Sequence, residues 1–85
     1  MGVKKVPAVG KLCLVHWTDV VGFINVPAAD AIPVNVITVG YIHKVTEDFI
    51  VIASAYYQDP NTPHDKREGD FTALPLGLIN RIEVI

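Results

Sequence analysis

The side chains that most often carry chemistry are sparse in this sequence, and their spacing limits what they can do. Cys13 and His16 form a C-x-x-H pair within a run of strand-forming residues. Side chains three residues apart on a strand point to opposite faces, so these two cannot chelate one metal ion without a bulge. His64 shares a polar loop with Asp59 and Asp65, but their spacing matches no calcium-binding loop. We therefore predict no metal site and no cofactor.

Nucleophiles with a paired base are also missing from the sequence. Ser54 lies in the middle of an apolar run, and Cys13 alternates with Val15 and Trp17 on a strand face that we expect to be buried. No pair of carboxyl groups has a recognisable acid–base setting. The chain is therefore predicted not to be an enzyme. The same alternation favours a core position for Trp17 over a role in a groove for proline-rich peptides.

Four side chains are candidates for contacts with a nucleic acid. Tyr41 and His43 are two residues apart near a turn, where their rings could stack on bases or contact phosphates. Lys44 and Arg81 could add positive charge, which repetition around an assembly would multiply. The alternative is that the two rings only occupy surface or half-buried positions and that the two cations are solvated side chains at strand ends. No intact nucleic-acid motif accompanies the four residues, which favours this alternative.

The elements that must position these residues are short strands. Five runs of β-branched, aromatic and alternating residues predict strands, and no segment has helical periodicity. Gly40 lies inside the second run, where a missing side chain indicates a sharp bend or a close backbone approach. The predicted strands span residues 11–18, 34–45, 49–57, 71–75 and 79–85.

The connections between these strands differ in character. Residues 19–33 form a long connection that holds at most one helical turn between its prolines. Residues 58–70 form a polar loop with no apolar residue to anchor it, so we expect it to be the most mobile segment. Residues 75–78 fit a tight turn or a 3-10 turn before the last strand. This pattern predicts one all-β domain over residues 1–85, a five-stranded small barrel; an OB-like barrel would need a helix where the polar loop lies.

The composition of the chain limits the kinds of partner that it is expected to bind. The formal charge is −2, from seven Lys plus Arg against nine Asp plus Glu, which is unlike a general nucleic-acid binder. Hydrophobic residues make up 51% of the 85-residue chain, more than one small core is expected to hide. Only one Cys is present, so no intrachain disulfide can stabilise the fold. Self-association is the simplest way to bury the remaining apolar surface.

No targeting or membrane segment is apparent. Residues 31–42 carry no charge, but twelve residues that include Pro33 are too few to span a bilayer. Pro7, Gly10 and Lys11 interrupt any apolar region of the signal-peptide kind near the N-terminus. We expect a cytoplasmic protein, of a bacterial host or of a phage-infected cell, that has no membrane partner.

The stretch VGYIHKVTEDFIVIAS, residues 39–54, resembles the first motif of Sm-like proteins. That motif runs glycine, any residue, an apolar residue, two further residues, an apolar residue and an aspartate, and then turns into an apolar strand with an asparagine. Gly40, Ile42 and Val45 match its first fixed positions. Thr46 stands in place of the aspartate, and no asparagine follows in the turn or the next strand.

The end of the sequence is similar to the second Sm motif, which joins the last two strands. Gly77 with Ile79 and Ile82 fits its glycine and apolar positions, and Leu76 stands where the family has arginine. The similarity covers residues 34–85 and is that of a divergent Sm-like, or more broadly SH3-like, small β-barrel protein with a 3-10 turn before its last strand. The sequence also resembles those of small phage-encoded proteins, which suggests a phage origin.

The resemblance implies a homo-oligomeric ring of roughly five to seven subunits that binds RNA. In such rings the fourth strand of one subunit pairs with the fifth strand of the next. The alternative is a structural or protein-interaction module whose barrel only mediates assembly and binds no RNA. The residues expected to contact RNA are Tyr41, His43, Lys44 and Arg81, and those expected at the subunit interface are Phe71, Ala73, Ile82 and Val84.

Overall fold

A computed structural model describes residues 5–85, which form an all-β chain with no α-helix among them. The structure confirms the all-β class, the five strands and the 3-10 turn before the last strand. The prediction that the N-terminus contains no signal peptide rests partly on residues 1–4, which lie outside the described range. The strands are β1 (Leu12–Asp19), β2 (Val34–Val45), β3 (Phe49–Tyr56), β4 (Gly69–Pro75) and β5 (Ile79–Val84), and the 3-10 turns span Ala28–Asp30, His64–Lys66 and Leu76–Leu78.

The strands form one antiparallel sheet in the order β4–β3–β2–β1–β5. The chain runs through β1 to β4 as successive hairpins, and β5 then returns to the far side of β1. β4 and β5 are not paired with each other, so the sheet is open rather than closed by hydrogen bonds. Both end strands therefore keep one edge without a neighbouring strand.

All five strands contribute to one core on the same side of the sheet. Leu74 and Ile79 come from the two strands at opposite ends of the hydrogen-bonding order, yet they pack in one cluster, so the sheet must curl around its own face. Trp17 packs against this cluster, and its indole Nε1–H donates to Thr38 Oγ1 at 2.9 Å. Trp17 is therefore partly buried at the border of the core, where its alternation predicts full burial. The core residues are Cys13, Val15, Ile42, Ile50, Ile52, Leu74 and Ile79.

Gly40 lies opposite Cys13 in the β1–β2 pairing, at a point where no side chain fits. A Cβ atom there would be 2.5 Å from Ile52 Cγ2 and 2.6 Å from the carbonyl oxygen of Ala53. The close backbone approach predicted for this glycine is therefore present. Its absence of a side chain lets β3 cross tightly against the middle of β2.

β1 and β2 extend beyond the rest of the sheet. β5 pairs with β1 only up to Trp17, and β3 pairs with β2 only from Tyr41 onward. We call residues 18–35 the arm. It consists of the ends of β1 and β2, which pair only with each other, and of the connection between them. The molecule measures 53 × 28 × 23 Å and has a radius of gyration of 15.3 Å. A compact chain of this length would have a radius of about 12 Å, so the arm makes the molecule elongated.

Gly40→Ala should lower the free energy of unfolding by about 1–3 kcal/mol, the usual cost of overpacking a core. The carbonyl of Ala53 cannot retreat without disturbing the β2–β3 pairing. Gly77→Ala is the matched control, because nothing lies within 4 Å of a Cβ at that position. Urea denaturation followed by circular dichroism compares the two variants. Equal midpoints for Gly40→Ala and the wild type would contradict the close approach.

Candidate functional site

His43 occupies a β-bulge in β2. Ile42 pairs with Ile52 of β3 and Lys44 pairs with Val51, so His43 is an extra residue without a partner in the ladder. Its side chain is only 5% exposed, although Tyr41, two residues earlier, is 45% exposed. The bulge therefore places a titratable side chain inside the structure rather than on the surface.

His43 is buried because His64 covers it. The two imidazole rings stack with their centroids 3.7 Å apart and their planes 19° from parallel. His43 Nε2 lies 2.9 Å from the carbonyl oxygen of His64, and His64 Nε2 lies 2.7 Å from the carbonyl oxygen of His43. A carbonyl oxygen only accepts, so both Nε2 atoms carry the proton and donate it. We call these two residues the histidine pair; it ties β2 to the 3-10 turn at His64–Lys66.

Two further aromatic rings enclose the histidine pair. The centroid of Tyr56 lies 4.9 Å from that of His43 in an edge-on arrangement, and the centroid of Phe71 lies 4.7 Å away at a tilt. Nδ1 of His43 is buried without a hydrogen-bond partner among the described residues. The base-stacking role predicted for His43 thus requires the histidine pair to open first, since the residue is almost fully buried and one face of its ring is stacked on His64.

Residues 58–70 have no apolar anchor, as their sequence indicates, but a histidine holds them instead. Polar contacts therefore anchor the loop, and its high mobility stays a prediction. Asp59 also orders the loop, because its carboxylate accepts from the Asn61 N–H at 2.9 Å and from the Thr62 hydroxyl at 2.8 Å. These two hydrogen bonds hold the pKa of Asp59 below its ordinary value. Gly69 and Asp70, expected in the loop, belong to β4.

The other residues expected to contact RNA have charged partners or lie apart. Lys44 Nζ is 3.1 Å from Asp65 Oδ1, and this hydrogen bond and charge hold the pKa of Asp65 below its ordinary value. Arg81 Nη2 is 2.6 Å from Glu83 Oε1. Each cation therefore lies beside a carboxylate, and Glu83 also contacts His16, which leaves little free positive charge for a phosphate.

Lys44 and Arg81 are also far apart along the sheet. Arg81 pairs with His16 of β1, and His16 pairs with Ile37 of β2. Ile37 and Lys44 are seven positions apart on β2, which is about 23 Å of extended strand. Within one subunit, the two cations do not form one site.

The two turns that resemble the Sm motifs lie next to each other. The hydroxyl of Thr46 accepts from the N–H groups of Asp48 and Phe49 at 3.2 and 3.0 Å, so it fixes the β2–β3 turn as an aspartate carboxylate at that position could. The carbonyl oxygen of Asp48 in turn accepts from the Leu76 N–H at 2.9 Å. Leu76 begins the 3-10 turn before β5, so this bond joins the two turns.

The four residues predicted at a subunit interface lie on the two end strands. Phe71 and Ala73 of β4 are exposed. Ile82 of β5 is half-buried against the core, and Val84 is 54% exposed. The prediction that both strands offer unpaired, mostly apolar edges agrees with this arrangement.

Groups that could support catalysis or metal binding occupy structural positions. Cys13 is buried in the core, and burial raises the pKa of its thiol. The hydroxyl of Ser54 donates to the carbonyl oxygen of Asp70 at 3.3 Å. Within residues 5–85, no three His, Cys, Asp or Glu side chains gather closely enough to hold a metal ion. In the same residues, no helix has the length and apolar character needed to cross a membrane.

No protein-family model matches the chain, and neither a curated protein nor a solved structure is significantly similar to it. The likeness to Sm-like proteins therefore rests on the motif residues and on the adjacent turns alone.

Replacing His64 by Ala should release residues 58–68 from the sheet. The change removes the ring that covers His43 and the Nε2–H that donates to the His43 carbonyl oxygen, so this buried carbonyl loses a hydrogen bond, which costs about 1–3 kcal/mol. We expect trypsin to cut wild-type protein at Lys66 or Arg67 before it cuts at Lys44, and to cut His64→Ala at these loop sites about tenfold faster.

His16→Ala is the control, because His16 contacts Glu83 at the surface and not the loop. Mass spectrometry of early digestion products reads out the cleavage sites. Equal loop cleavage in His64→Ala and wild-type protein would mean that the histidine pair does not hold the loop.

Proposed function

We propose that this protein is a self-assembling β module whose subunits join edge to edge, β4 of one copy pairing with β5 of the next. The observation that carries the proposal is that one open sheet ends in two uncovered strands. Soluble proteins usually protect such edges with charges, prolines or covering segments, because unpaired N–H and C=O groups attract other strands. Here Asp70 is the only charged residue of β4, and Arg81 and Glu83 of β5 neutralise each other.

The backbone direction of β5 fits such a contact. Ile85 N–H donates to the Leu12 carbonyl at 2.9 Å, so at this point β5 faces β1. Hydrogen-bonding groups alternate in direction along an antiparallel strand, so the N–H and C=O groups of Val84 and Ile82 face away from β1. These groups need a partner, and Val84 adds an exposed apolar side chain beside them.

A contact between two different edges is head-to-tail, so it repeats from copy to copy until the rotation closes a ring. This is the arrangement that the Sm-like resemblance implies, with roughly five to seven subunits. Such an assembly would also cover Phe71 and Val84, which a single chain leaves in water. The assembly therefore satisfies the polar edges and the apolar excess of the chain with one interface.

RNA binding is the second candidate function, and one observation favours it. The two motif-like turns lie side by side through the hydrogen bond between Asp48 and Leu76, as a shared binding surface would need. The ion pairs of Lys44 and Arg81, the burial of His43 and the net charge of −2 argue for assembly without RNA as the first choice.

Val84→Asp should break the assembly without unfolding the subunit. Val84 is more than half exposed in one chain, so a carboxylate there costs at most about 1 kcal/mol of subunit stability. In the paired edge the same carboxylate would be buried without a partner. Light scattering coupled to gel filtration should show a large fall in particle mass, and circular dichroism should stay unchanged.

Glu83→Gln is the matched control, since it changes the neighbouring residue on the opposite side of β5 and should keep the assembled mass. A wild-type protein that is monomeric at micromolar concentration would refute edge-to-edge assembly.

Filter binding with poly(U) and poly(A) at low and high salt separates the two candidates. Assembly alone predicts no retention of either RNA at low salt. Retention that weakens as salt rises would show phosphate contacts and favour the RNA candidate, because such contacts release counterions. Lys44→Ala should abolish that retention if Lys44 carries it.

A further inference from the structure

β2 has a third free strand edge, separate from those of β4 and β5. β3 pairs with β2 from Tyr41 to Val45 only, so residues 34–40 have β1 on one side and no strand on the other. We call residues 34–40 the β2 edge. Pro33, which lacks an N–H, precedes the edge, and the paired Tyr41 follows it.

The backbone groups of the β2 edge point in known directions. Ile42 N–H donates to the Lys11 carbonyl at 2.9 Å, and the Ile42 carbonyl accepts from the Gly10 N–H at 2.8 Å, so both groups of Ile42 face the β1 side. The β1–β2 register runs without interruption from Leu12↔Tyr41 to Asp19↔Val34. By alternation, the N–H and C=O groups of residues 35, 37 and 39 face the open side.

The side chains of this edge favour pairing. Its sequence VNVITVG contains no charged residue and no proline, and five of its seven residues are β-branched. Ile37, at its centre, is 58% exposed. Within the segment itself, neither a charge nor a proline protects the free edge.

The exposed apolar surface of the edge and the adjacent arm is also large. Nine hydrophobic residues of the edge and the arm have exposed fractions that add up to about five whole residues. Their exposed side chains amount to an area on the order of 500 Å². One partner of a standard interface contributes about 800 Å². Pairing of the backbone edge would supply the remaining area. The residues are Val20, Val21, Phe23, Ile24, Val26, Ile32, Val34, Ile37 and Val39.

We infer that the β2 edge binds the β2 edge of a second copy of this chain, antiparallel and around a twofold axis at Ile37. Ile37 is the midpoint of the free segment, so this register opposes residue 34 to residue 40 and uses every outward-facing group of both copies. The ends of the segment fix the register, because Pro33 and the β3-bound Tyr41 prevent pairing beyond it.

The chemistry of the edge selects a second copy over other partners. An edge with no charge has nothing to attract nucleic acid or a charged peptide, and two identical copies meet without repulsion. In the antiparallel register, the arm of one copy runs past residue 40 of the other, towards its exposed Tyr41 and Tyr57. This contact does not depend on the β4–β5 contact proposed above, because it uses a different edge.

The test uses Ile37→Pro, alone and together with Val84→Asp. Proline at position 37 removes an outward N–H but no bond to β1, so the hairpin should keep its fold. The twofold axis removes that N–H from both copies, so association through the β2 edge should weaken about thirtyfold. Ile37→Val keeps the N–H and the shape of the side chain, and serves as the matched control.

Sedimentation equilibrium separates the two contacts. Val84→Asp should be a dimer of the 9.3 kDa chain, and Val84→Asp with Ile37→Pro should be a monomer. A monomeric Val84→Asp protein at micromolar concentration, or a double variant that remains dimeric, would overturn the inference. If Val84→Asp instead keeps the wild-type mass, the β4–β5 contact fails, and Ile37→Pro alone should still reduce that mass.

A charge exchange tests the register even if the proline variant does not fold. In the Val84→Asp background, Ile37→Lys and Ile37→Glu should each be monomeric, because the axis places like charges opposite each other. An equimolar mixture should form a heterodimer, since the charges are then opposite. A mixture that stays monomeric would exclude a twofold axis at Ile37.

Discussion

The backbone hydrogen bonds that the sheet leaves unmade are the constraint on which the rest of this structure depends. Five short strands curl around a core of seven residues, but β4 and β5 do not meet. Closure would have satisfied their N–H and C=O groups inside one chain. Because the sheet stays open, and because β2 is longer than the β3 segment that covers it, three edges face outward. These groups are left to water or to a strand of another chain.

The polar part of the molecule is arranged so that these edges stay uncovered. The long β3–β4 connection could fold over the edge of β4, but the histidine pair fastens it to β2, across the aromatic side chains of β3 and β4. The ion pairs have a similar effect on charge. Lys44 with Asp65 and Arg81 with Glu83 leave little net charge near the edges to repel a second copy. Charge is thus compensated locally, while the apolar and backbone groups are not.

Local sequence patterns predicted the strands well, because alternation and β-branched residues report on each strand by itself. β2 matches its predicted bounds, and the tight packing at Gly40 follows from a glycine inside a strand. The histidine pair was not predictable in this way. It depends on one extra residue in the β2–β3 register and on a contact between positions 21 residues apart in the sequence. The β2 edge was missed for a related reason, since it arises from the difference in length between two paired strands and not from the sequence of either one.

The uncharged stretch at residues 31–42 is a sequence pattern whose structural role is visible only in the folded chain. It is too short to cross a bilayer as a helix, yet as a strand it supplies the whole of the β2 edge. An unprotected edge of this composition normally carries a risk of open-ended aggregation. Here Pro33 limits it at one end and the pairing of Tyr41 with β3 limits it at the other. In the dimer that we propose, the second copy would occupy every outward-facing group of this seven-residue edge and leave none to recruit a third strand. The same limits that fix the proposed register would therefore also stop the assembly of this edge at a dimer.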